Sequence, residues 1–83
     1  MWLRTQHGEL VNLAQCGTVQ HGPNPARCKD TDPPRSVLAW VAGHGRVMLH
    51  TGAAEECERV LQLLARAAGL HPLLDFTKGV PEL

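Results

Sequence analysis

The chain has 83 residues, with eight basic and eight acidic side chains and a formal net charge of zero. That length suits one domain with a small core. Neither sign of charge clusters, which argues against the basic stripe of a nucleic-acid binder and against an acidic tail. No apolar run follows Met1, so neither a signal peptide nor a membrane span is expected. Three cysteines at irregular spacing do not form a secreted disulfide framework, and the expected compartment is the cytoplasm.

Residues 2–13 read as a β-hairpin turning at His7-Gly8. A two-residue turn there sets Gln6 opposite Glu9, Thr5 opposite Leu10, Arg4 opposite Val11 and Trp2 opposite Leu13, and neither face of that pair is cleanly polar. The second strand can continue to Val19, with Gly17 marking a bulge.

The run Trp2-Leu3-Arg4-Thr5-Gln6-x-Gly8-x-Leu10-Val11-Asn12-Leu13 resembles the opening of a group of small bacterial and phage proteins. Their pattern is W-[IL]-R-T-Q-x-G-x-L-V-N-L, followed by a few strands and one C-terminal helix. The resemblance implies a sheet-plus-helix fold and transfers no activity and no functional residue. The chain departs from the pattern in its proline-rich middle and in its tail.

Residues 21–35 hold four prolines and no repeating apolar face, so they are expected to be a long, mobile loop. Residues 36–50 form a second expected hairpin around Gly43-His44-Gly45, where a left-handed glycine is natural. In that register Trp40 opposes Met48, Leu38 opposes His50, Val41 opposes Val47 and Ala39 opposes Leu49. Both faces are then apolar, which a strand pair with one side in water would not show.

Residues 53–68 carry the one long helical period. Ala53, Cys57, Val60, Leu61, Leu64 and Ala68 fall on one side, and Glu55, Glu58, Arg59, Gln62 and Arg66 on the other. Glu55 and Glu56 suit the first turn, and Gly69 suits the residue past the last. The segment 70–83 is broken by Pro72 and Pro81 but is apolar enough to lie back on the sheet or on a neighbour.

Chemical signatures are sparse. Cys16, His21 and Cys28 could furnish three zinc ligands, yet the paired short spacings of structural zinc sites are missing. Cys57 sits on the apolar stripe, where packing explains it better than nucleophilic chemistry. The sequence Gly43-His44-Gly45-Arg46 leads into a strand, whereas phosphate loops feed a helix N-terminus.

The expectation is therefore an α+β domain spanning residues 1–83. Two hairpins form an antiparallel sheet of about four strands, backed by one C-terminal helix. The expected function is non-enzymatic: a cytoplasmic interaction module that self-associates or docks on a larger protein, with no cofactor, nucleic acid or membrane partner. An accessory or inhibitor protein of a phage or mobile element fits that description. Trp40, Met48 and Leu38, on the sheet face away from the helix, are the expected protein-binding residues. The alternative is a small zinc-binding domain built on Cys16, His21 and Cys28.

Overall fold

Among the described residues, short β-forming runs cut by glycine, proline and asparagine give six strands, and the single long periodic run gives the helix. In the computed structural model, which describes residues 1–67 and 72–81, the order is β1 (Trp2–Arg4), β2 (Leu10–Asn12), a 3-10 turn (Leu13–Gln15), β3 (Cys16–Pro23), β4 (Arg35–Val41), β5 (Gly45–Gly52), α1 (Ala54–Ala67) and β6 (Leu73–Asp75). The class is α+β. The strands form two sheets of three, ordered β2-β1-β6 and β3-β4-β5, in place of one sheet of about four. We call them sheet A and sheet B. Sheet B is antiparallel throughout, whereas β6 joins sheet A parallel to β1.

The first hairpin turns over three residues, not two. Gly8 N–H donates to Thr5 O (2.9 Å) and Thr5 N–H donates to Glu9 O (2.8 Å), with Gly8 in the left-handed region at φ 88°. The register is therefore one residue from the expected one: Arg4 opposes Leu10, Leu3 opposes Val11, and Trp2 opposes Asn12. A one-residue slip exchanges the faces of a strand. Leu3 and Val11 now turn inward together, while Trp2, Arg4, Leu10 and Asn12 share the outward face. Asn12 ends β2 by accepting from Ala14 N–H (3.0 Å), and β3 shows the expected irregularity at Gly17.

In the second hairpin Val41 opposes Gly45, Trp40 opposes Arg46, Ala39 opposes Val47, and Leu38 opposes Met48. Trp40 thus faces Arg46 rather than Met48, a shift of two residues that keeps residues 38–41 and 45–48 on their expected faces, whereas His50, expected opposite Leu38, does not keep its place. A bulge between Val37 and Leu38 then carries Val37 opposite His50, and both Leu49 and His50 are buried.

The helix buries Cys57, Val60, Leu63, Leu64 and Ala67. Leu61 is only partly buried and Ala53 is exposed, so the packed stripe lies toward Leu63, which the wheel had not singled out. Ala68 and Gly69 fall outside the described residues. The stripe meets Val37, Ala39, Val41 and Leu49 of sheet B and Leu3, Leu74 and Phe76 from the sheet A side in one core. The apolar segment after the helix is thus a strand with two core anchors. Leu74 and Phe76 are buried, Leu73 faces out, and the Trp40 face is left without this cover.

Gln6 joins the two sheets. Its Oε1 accepts from Thr51 N–H (2.5 Å) and Thr51 Oγ1–H (2.9 Å), and its Nε2 donates to Thr51 O (3.3 Å). The proline-rich stretch is shorter and better tied than expected, because residues 21–23 continue β3 and Arg35 opens β4. Buried Asn24 donates through Nδ2 to Pro33 O (2.9 Å) and accepts from Ala26 N–H (3.0 Å). Asp32 accepts from the N–H groups of Cys28 and Lys29, both at 3.0 Å.

Candidate functional site

Strand alternation puts Leu38, Trp40 and Met48 on the outer face of sheet B, as expected. Their exposures differ. Leu38, between Gln20 on β3 and Met48 on β5, is only 6% exposed, Met48 is half-buried, and Trp40 is 50% exposed. The indole stands between Thr18 and Arg46 on the neighbouring strands.

The outward face of sheet A carries a second apolar group. Trp2 is 44% exposed, Leu10 53% and Leu73 44%, and Trp2 lies directly beside Leu73 in the parallel β1–β6 register. Together with Trp40 these are the large apolar side chains that the fold leaves in solvent among the described residues. Trp2 and Leu10 escape the sequence reading because the assumed two-residue turn separates them onto opposite faces. The position of Gly8 as third loop residue is the only local signal that could have corrected it.

A groove of about 410 Å³ lies between β2 and the β4–β5 hairpin. Trp2, Glu9, Leu10, Val11 and Asn12 line one wall, and Val41, His44 and Val47 of the β4–β5 hairpin line the other, with Gln15 also contributing. Glu9 is the only Asp, Glu, Lys or Arg among these residues. The turn at Leu13–Gln15 positions the walls, and Ala42 N–H donates to Gln15 O (3.1 Å) to tie the hairpin to the turn.

The titratable side chains gather elsewhere, at the N-terminal end of the helix. Arg35 donates from Nη2 to His21 Nδ1 (3.1 Å), and His21 Nε2 lies 3.1 Å from Glu58 Oε2. A guanidinium only donates, so Nδ1 must accept and Nε2–H faces the carboxylate. Buried His50 meets Glu56 Oε2 through Nε2 (2.8 Å) and packs on Phe76 with ring centroids 5.6 Å apart. Arg35 Nε and His50 Nδ1 are buried without a partner. These contacts strap the helix to β3, β4 and β5, and neither imidazole–carboxylate pair lines the groove. Burial pushes the Cys57 thiol up, with the neighbouring Glu56 carboxylate adding to the effect. A buried thiol that holds its proton is the opposite of an activated nucleophile.

Cys16, His21 and Cys28 are not brought together. Cys16 and His21 lie five residues apart on β3, roughly 16 Å at the usual strand rise. Cys28 is exposed in the 24–34 loop and donates to Ala26 O (3.6 Å). Zinc ligands sit about 2.0–2.3 Å from their ion. Among the described residues no group of three or more His, Cys, Asp or Glu side chains is disposed to hold a metal. Among the described residues, too, no helix is long and apolar enough to cross a membrane. No family model, curated protein or solved structure matches the chain.

Proposed function

We propose that the chain is a non-enzymatic protein-interaction module that docks on a second copy of itself or on a larger protein through its exposed indole-bearing faces. The observation that carries this reading is the Trp40 indole, half in solvent on the outer face of sheet B. The segment that was the obvious candidate to cover it is built into the other sheet. Leaving so large an apolar surface in water is costly, and Trp is enriched where proteins meet. Free cysteines at positions 16, 28 and 57 suit a reducing compartment, so we assign the module to the cytoplasm. The resemblance of residues 2–13 to small phage and bacterial proteins supports a role as an accessory or inhibitor protein of a phage or mobile element.

Trp40→Glu tests the reading. The substitution adds a charge on a face that is already solvated, so the expected product is a folded protein with an unchanged cooperative melt. Sedimentation velocity should show an associating parent and a monomeric variant. A parent that is monomeric on its own and in extracts of its native host, with a variant indistinguishable from it, would remove the basis for the proposal.

A further inference from the structure

In an antiparallel pair, residues that exchange backbone hydrogen bonds with the neighbour alternate with residues whose N–H and C=O point away from it. Thr5 N–H donates to Glu9 O and Leu13 N–H donates to Met1 O, which assigns residues 9, 11 and 13 to the bonded set. Leu10 therefore directs its N–H and C=O to the open side of β2, and Asn12 its N–H, while the Asn12 C=O opens the 3-10 turn that follows. Sheet A is ordered β2-β1-β6, so among the described residues no strand pairs on that side. Residues 9–12 line the groove.

We propose that this groove binds an extended peptide segment of a partner protein, laid beside β2 as an added strand and carrying one lysine or arginine. The inference rests on the reading of the chain as an interaction module and gives that module a site separate from Trp40. The extended backbone follows from the outward N–H and C=O of Leu10 and the outward N–H of Asn12, the pattern by which sheet edges capture peptides. The basic side chain follows from charge complementarity. Among the described residues Glu9 is the only formally charged one lining the groove, and the half-exposed Trp2 indole, also in the lining, offers a π face that attracts a cation. Val11 on one wall and Val41 and Val47 on the other supply apolar surface for an aliphatic neighbour of the basic residue. A volume of about 410 Å³ holds a few side chains and excludes a folded domain. The edge is three residues long, so its backbone bonds alone are few and the Glu9 carboxylate must contribute to selectivity.

The test selects random short peptides on the whole chain by display, then titrates the enriched ones into labelled protein by amide NMR. Enriched peptides should share one lysine or arginine flanked by β-branched residues. They should shift the amides of Leu10 and Asn12 and the Trp2 indole. Glu9 is exposed and bonds through its backbone, so Glu9→Gln should stay folded. It should weaken binding about ten-fold. N-methylation of the peptide at the backbone positions facing β2 should abolish binding. Enriched peptides that are acidic, or that bind Glu9→Gln and N-methylated ligands undiminished, would overturn the groove. Peptides that shift Trp40 and leave Leu10 and Asn12 unmoved would overturn the groove while upholding the module. No enrichment, together with a parent protein that neither associates nor responds to Trp40→Glu, would overturn both.

Discussion

Gly52 shows how one absent side chain holds a polar contact in place. A Cβ there would run into the Glu56 carboxylate, whose Oε2 is the partner of buried His50. Gly52→Ala should displace Glu56 and leave the His50 ring without its acceptor, since Nδ1 already lacks a partner. The expected cost is about 1–3 kcal/mol in a denaturant melt, the usual penalty for orphaning a buried polar group. The same substitution made in a Glu56→Ala background should cost much less, because the colliding carboxylate is gone. Equal costs in the two backgrounds would show that the backbone, not Glu56, is the constraint. None of this was legible in the sequence, where His50 and Glu56 are unremarkable polar residues on separate elements.

At the scale of elements, the helix and the turns make separable predictions. Leu63→Ala should cost about 2–5 kcal/mol, Leu61→Ala clearly less, and Gln62→Ala within about half a kcal/mol. A larger loss at Leu61 than at Leu63 in matched melts would mean that the helix is rotated from the packing described above. The apolar arc from Leu63 through Leu64 and Cys57 to Leu61 spans about 160° of the wheel at 3.6 residues per turn. That is wider than one packed stripe, so periodicity alone could not decide which flank would be covered.

The turns carry a pH signature. Asp32 is held below its ordinary value of 3.8 by the N–H groups of Cys28 and Lys29, and Asp75 by the side chain and then the N–H of Thr77. A lowered carboxyl contributes stability that is complete above the unfolded value and is lost as pH falls through the folded one. The Cys28, Lys29 and Thr77 amides should therefore move only in acid below about pH 4. Both carboxylates are at the surface, so the global melting temperature should change little. Amides that titrate nearer neutrality would contradict the assignment.

For the whole molecule, Gln6 is the residue on which the two sheets meet. Its amide makes three hydrogen bonds to Thr51, across 45 residues of sequence. Gln6→Ala should cost about 1–3 kcal/mol by leaving Thr51 unsatisfied. Hydrogen exchange should show the loss first in β1 and β2, because their remaining ties to sheet B are fewer. Uniform loss of protection would instead mean that the sheets open as a unit.

By itself the sequence determined the class, the helix, the two hairpins, the Gly17 irregularity and the common face of Leu38, Trp40 and Met48. Each of these follows from a local rule: a period of 3.6 or 2, a glycine at a turn, a breaker between runs. Tertiary structure decided that residues 16–23 leave the first hairpin and pair with β4, and that the stretch after the helix returns as a parallel strand beside β1. It also decided that Trp2, Leu10 and Leu73 face solvent together. A hairpin register depends on whether Gly8 is the second or third loop residue, and a parallel pairing depends on contacts some seventy residues apart. Pairings of that kind bring no local signature, because strand hydrogen bonds come from backbone groups that every residue shares.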